Sequence, residues 1–238
     1  MSIHVKIEKE HLNAIYKAAT AIGAENIGFV IDDQGWSMAQ ADPSRVSMVS
    51  IRIPKESFIE YECTPGNVAI PAANLKSMLS VLDGQVEIFA GEDGRMTMKA
   101  GNIRRTTRTL AADESPKMPN LNLAVKATID TTTLRKVIST SSYTDYITVK
   151  SSAKGLTFIT SGDSDSTDLD IPAEGLPQAS AGYPLDMFDR IMSSLQSPVG
   201  FEISTNHPCR IYRDEPFRIE FMLAPRIEEQ RGSSVGTR

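Results

Sequence analysis

Residues 71–84, "PAANLKSMLSVLDG", decide the fold, because residues 184–197, "PLDMFDRIMSSLQS", repeat their pattern at an offset of 113. Each stretch opens on proline and spaces its apolar residues by three and four, the mark of an amphipathic helix. Pro71 meets Pro184, Leu75 meets Phe188, Met78 meets Ile191 and Leu82 meets Leu195. The match runs on without a gap through Val86 and Val199, Arg105 and Arg218, and Leu110–Ala111 and Leu223–Ala224. Upstream, Leu12 and Gly35 correspond to Leu134 and Gly155, with the second copy two residues shorter in that interval. An internal duplication is the natural explanation.

Working outward, helices are expected at 12–22, 71–84, 131–142 and 184–196. Alternating segments such as "NIGFVID", "WSMAQA", "VSMVSIRI", "QVEIFAGED", "YITVKS" and "GLTFITS" read as strands in hairpins. Each half is then strand, helix, strands, helix, strands: an α+β chain of two duplicated domains, each with two helices on antiparallel sheet. The expected boundaries are 1–110 and 127–229. The stretch 111–126, "AADESPKMPNLNLAVK", is read as an extended connecting linker, and 230–238 as a disordered tail.

The 238 residues are 40% hydrophobic and 23% charged, an ordinary soluble mix. No apolar run approaches the roughly 20 residues of a membrane span, and "MSIHVKIEKE" has no signal-peptide pattern. Cys63 and Cys209 are the only cysteines and lie far apart, which suits a reducing cytoplasm. With a net charge of -5 the chain as a whole repels DNA, so any nucleic-acid role rests on local charge or on geometry.

No phosphate loop and no nucleophile elbow occur, and His4, His11 and His207 have no metal-ligand spacing. The one catalytic suspect is "GDSDSTDLD", 162–170; as a calcium loop starting at Asp163 it finds Glu174 at its twelfth position but Asp168 where the turn glycine belongs. A metal-dependent nuclease or phosphoesterase using these aspartates is the rival reading.

From Arg95 to Arg108 every charge is positive: Arg95, Lys99, Arg104, Arg105 and Arg108. From Asp163 to Glu174 every charge is negative: Asp163, Asp165, Asp168, Asp170 and Glu174. Two edge strands of opposite sign in one chain are suited to meeting between neighbouring copies, where backbone pairing continues the sheet. Such a contact is heterologous and closes into a ring if the rotation permits.

"ADPSRVSMVSIRIPKESFIEYEC", 41–63, and "FRIEFMLAPRIEE", 217–229, resemble the archaeal and eukaryotic DNA sliding clamps of the proliferating cell nuclear antigen family. The resemblance covers residues 1–229. It implies a non-catalytic processivity factor with no cofactor and no metal: a homotrimeric ring that encircles duplex DNA in the cytoplasm, beside the nucleoid. It implies as partners DNA polymerase, clamp loader, flap endonuclease and DNA ligase, docked through short hydrophobic peptide motifs. A ring subunit that assembles only with paralogues, or a scaffold without DNA, is a third reading.

In that ring the helices line the hole. The faces opposite the apolar stripes carry Lys9, Asn13 and Lys17, then Lys76 and Ser80, then Arg135, Lys136 and Ser139, and finally Arg190, all suited to phosphate contact. The family's partner-peptide cleft carries over to Arg45, Val46, Met48, Leu121, Leu123, Pro208, Ala224, Pro225, Arg226 and Ile227. Leu121, Leu123 and Ile227 lie on irregular segments, where exposed apolar residues mark interaction sites.

Overall fold

The computed structural model describes residues 2–91, 93–112 and 115–226. The first half runs β1 (Ile3–Glu8), α1 (Lys9–Ala21), β2 (Asn26–Asp32), β3 (Gly35–Ala41), β4 (Ser47–Pro54), β5 (Glu60–Cys63), β6 (Gly66–Pro71), α2 (Ala72–Leu79), β7 (Gln85–Ala90), β8 (Arg95–Ala100) and β9 (Ile103–Arg108). The second runs β10 (Val125–Ile129), α3 (Thr131–Ser139), β11 (Tyr146–Ser152), β12 (Gly155–Ser161), β13 (Ser166–Pro172), β14 (Ala179–Pro184), α4 (Leu185–Ser194), β15 (Val199–Ile203), β16 (Cys209–Arg213) and β17 (Arg218–Leu223). All four helices fall where the periodicity puts them. α2 is shorter than expected, stopping at Leu79 ahead of the left-handed Gly84.

The strands alternate buried and open residues, as in β1, where Ile3, Val5 and Ile7 point inward. They form a five-stranded sheet β5-β1-β7-β8-β9, a four-stranded sheet β13-β12-β11-β14, and an eight-stranded sheet β10-β15-β16-β17-β4-β3-β2-β6 that runs through both halves. The helices pack side by side in the order α2, α1, α4, α3. Phe188 of α4 illustrates the core, lying against Phe158, Tyr183 and Phe201. Gly35 and Gly155 open matching hairpins at φ 137° and 140°; a Cβ there would meet the Ile53 or Ile171 carbonyl oxygen at 2.1 or 2.2 Å.

One part of the repeat needs correction. Met98 pairs with Arg105, but its counterpart Ile211 pairs with Phe221. Arg105 therefore corresponds to Phe221 rather than Arg218, because the β8–β9 turn is the tight Gly101-Asn102 whereas β16 and β17 are joined by Asp214–Phe217. The identities at Arg218 and Leu223 are coincidences of an offset that lapses at this hairpin. Likewise Phe158 pairs with Leu169 while its counterpart Met38 pairs with Ile51, so Leu169 corresponds to Ile51.

The corrected equivalence exposes the chain's organisation. β17 pairs with β4 and joins the halves, with Glu220 opposite Ser50 and Ile219 opposite Ile51. Their counterparts, β9 of the first half and β13 of the second, are each the last strand of a sheet.

Candidate clamp surfaces

The two charged edges come first. Arg104 and Arg108 project from one face of β9 and Arg105 from the other, where its Nη2 donates to Ser77 Oγ of α2 at 2.9 Å. On β13, Asp168 and Asp170 share the exposed face, and Asp170 accepts from Thr157 Oγ1 at 2.7 Å. Asp163 and Asp165 lie not on the strand, as the sequence suggested, but in the turn before it, closed by Gly162 N donating to the Asp165 carbonyl at 2.8 Å. Among the described residues none of these seven charges has an ion-pair partner within the chain. Ile103, 44% exposed, adds an uncovered apolar side chain to the β9 edge. The aspartates do not converge: among the described residues no group of three or more His, Cys, Asp or Glu side chains is placed to hold a metal ion.

The helix layer gathers part of the expected DNA-facing set. Asn13 and Lys17 of α1 and Arg135, Lys136 and Ser139 of α3 border one groove of about 1050 Å³, with Lys17, Arg135 and Lys136 exposed. Lys76 and Ser80 are exposed at α2, away from that groove. Two of the cations are already engaged: Lys9 Nζ sits 2.6 Å from Asp83 and is 18% exposed, and Arg190 pairs with Asp186 at 3.2 Å. Arg213, absent from the sequence-based set, borders the same groove from β16. Its guanidinium donates to the carbonyls of Glu215, Gln196 and Ser197, so it braces two loops. No helical periodicity could have revealed it. Asp130 caps α3 by accepting from Thr132 N at 2.8 Å, and these hydrogen bonds, with one from Ser197 Oγ, hold its carboxyl below the usual range.

On the other side the linker straps the sheet. Leu110 exchanges backbone hydrogen bonds with Ala69 at one end. At the other, Arg210 Nη2 donates to the Leu121 carbonyl at 3.1 Å and Ala124 N donates to Ser204 Oγ at 2.8 Å. Near the first anchor a depression of about 620 Å³ is lined by residues that include Gly28, Ala39, Ala69, Arg45, Met48 and Lys117. Of the expected cleft residues, Arg45 and Met48 therefore line it. Val46 and Ala224 adjoin through a backbone hydrogen bond of 2.8 Å, and Pro208, Pro225 and Leu121 are half-buried. Leu123 is a correction: at 2% exposure it is a core residue, turned inward where its neighbour Ala124 is tied to Ser204. Arg226 is exposed, its guanidinium lying over the Tyr146 ring at 4.6 Å and its N–H donating to the Gly182 carbonyl. Ile227 and the 230–238 tail lie outside the described residues. Both cysteines read as structural. Burial pushes the Cys209 and Cys63 thiols up, away from the reactive thiolate.

Residues 12–124 match the family model described as "Proliferating cell nuclear antigen, N-terminal domain". The chain is 24% identical over 240 residues to the DNA polymerase sliding clamp of Methanothrix thermoacetophila, covering 94% of this chain and 98% of that one. It is 25% identical to that of Archaeoglobus fulgidus, covering 96% and 100%. Among solved structures, the A. fulgidus PCNA bound to the C-terminal region of FEN-1 superposes with a TM-score of 0.87 at 22% identity, over 96% of this chain and all of that one. PCNA from Entamoeba histolytica also gives 0.87, at 21% identity over 94% and 99%. The architecture is the clamp fold. Over the residues that the family model covers, the chain resembles the proliferating cell nuclear antigen family.

Proposed function

We propose that the chain is a DNA polymerase sliding clamp: a homotrimer that encircles duplex DNA and tethers replication and repair enzymes without itself making or breaking bonds. The observation that carries this reading is the pair of bare edges. The chain joins its own halves by β17 on β4 and leaves the equivalent β9 and β13 at the ends of their sheets. Carrying the β17–β4 register over to a β9–β13 contact between copies places Arg104 opposite Asp168, Ile103 opposite Leu169 and Thr107 opposite Asp165. Charge meets charge and the exposed Ile103 meets a half-buried leucine. Repetition of one heterologous contact gives a ring when its rotation closes.

In this reading residues 1–110 and 127–229 are like-folded domains, and the helices line the hole. Contact with phosphates through Lys17, Arg135, Lys136 and Lys76 is weak, salt-dependent and blind to sequence. Retention comes from enclosure, and clients held in the cleft under the linker act at high effective concentration on their template. Those clients are polymerase, clamp loader, flap endonuclease and ligase, and the protein works in the cytoplasm at the nucleoid. The test is retention by topology. Protein assembled on nicked circular duplex should persist for as long as the circle is intact and leave when it is linearised; equal loss from both would refute enclosure.

A further inference from the structure

Beneath the linker lies a charge cluster that neither the ring nor the hole uses. Arg210 of β16 is 14% exposed, between Glu202 of β15 at 7% and Glu220 of β17 at 17%. Its Nη1 donates to Glu202 Oε2 at 2.6 Å, and its Nε lies 3.0 Å from Glu220 Oε1 in an ionic contact. The remaining arm, Nη2, donates to the Leu121 carbonyl. Lys126 stands 3.9 Å from Glu202, and Arg218 holds the other oxygen of Glu220 at 2.7 Å. One hydrogen bond to Glu202 and the charge of Glu220 hold the guanidinium, whose Nε makes no hydrogen bond, and its remaining arm holds the linker.

Burying charge is costly, and well-packed apolar side chains in place of the Glu202–Arg210–Glu220 cluster would hold the sheet together as well or better. What no apolar residue supplies is a donor aimed at a linker carbonyl. Lysine is also a poor substitute, because its single ammonium lacks the planar fork that reaches three directions at once. From Leu121 the chain continues to Leu123, buried at 2%, and to the Ala124–Ser204 bond. Arg210 therefore sets where the linker, past the residues 115–117 that line the depression, rejoins the sheet.

We propose that Arg210 is a positioning residue for client binding: it latches the linker at Leu121, so that the cleft wall is ordered before a client peptide arrives. The inference rests on the cleft reading above. A wall already fixed spares the peptide part of the ordering cost of association.

The experiment compares full-length wild type with Arg210→Lys and Arg210→Met. It measures backbone hydrogen exchange at residues 121–124, binding of a labelled peptide of the FEN-1 C-terminal region, and the mass of the assembled protein. Arg210→Lys should raise exchange at 121–124 by tenfold or more, leave β15, β16 and β17 protected, and weaken peptide binding on the order of tenfold, the scale of one charge-assisted hydrogen bond. The assembled mass should not change. Arg210→Met should show the same linker effect together with a lower Tm, since it also removes the cation between two buried glutamates and leaves Glu202 with only the distant Lys126. Unchanged exchange in both variants would overturn the latch. Faster exchange with undiminished peptide affinity would overturn the positioning role. Failure of wild type to bind the peptide would instead count against the cleft, while the exchange data still decide the latch.

Discussion

Reversing the charge at both outer arginines of β9, Arg104→Glu with Arg108→Glu, should convert the proposed ring into monomers. The transferred register sets Arg104 across from Asp168 and brings Arg108 to the end of the contact that holds Asp163 and Asp165. Among the described residues none of these groups has an intrachain ion-pair partner to fall back on. Exposed pairs contribute about 0.2–1 kcal/mol each, so removing two attractions and adding two repulsions of similar size costs about 1–4 kcal/mol per interface. That is roughly fivefold to a thousandfold in each interface's association constant. Light scattering across a dilution series is the assay, with the wild type expected at three times the 26.0 kDa of one chain. The double variant should fall to the monomer mass at concentrations where wild type is assembled. Adding Asp168→Arg and Asp165→Arg should restore the assembled mass in part, and raising salt should narrow the gap between variant and wild type. A double variant as assembled as wild type, or a compensating variant that restores nothing, would refute the register and with it the β9–β13 pairing.

Three further outcomes follow from the same geometry. Alanine at Lys17, Arg135 and Lys136 should lower the salt slope of DNA binding by about one for each phosphate left without its cation, whereas Lys9→Ala, whose charge Asp83 already engages, should change it least; equal slopes would contradict the groove assignment. Leu121→Ala should weaken peptide binding with little change in Tm, while Leu123→Ala should cost about 2–5 kcal/mol of stability as a cavity, read by chemical denaturation. Asp130 has a folded-state pKa below the ordinary 3.8, so its capping contribution is full above that value and is lost as pH falls through the lower, folded one. The Tm difference between wild type and Asp130→Ala should therefore be widest near neutrality and shrink below about pH 4; a difference independent of pH would refute the ionised cap.

How much of this was legible in the sequence depends on what each feature must satisfy. The helices were readable because Leu75, Met78 and their counterparts Phe188 and Ile191 must face one core at helical spacing. The charged edges were readable for a different reason. β9 carries three arginines and no acid, so its composition already points to a partner beyond its own strand. The β8–β9 turn was not legible. Arg105 and Arg218 match by identity, yet the tight Gly101-Asn102 turn shifts every later residue against the repeat, and only the Met98–Arg105 register reveals it.

The cleft was the least legible surface, and the reason is physical. Leu121 and Leu123 sit two apart on a segment with no periodicity, so nothing local says which one turns inward. That choice is made by Arg210 and Ser204, roughly 80 or more residues away in sequence, which grip the linker at Leu121 and Ala124 and turn Leu123 into the core between them. A segment without secondary structure takes its shape from whatever holds its backbone polar groups. The linker's path is consequently written on the sheet beneath it, in Glu202, Arg210 and Glu220, and substitutions there should alter client binding although none of the three lines the depression itself.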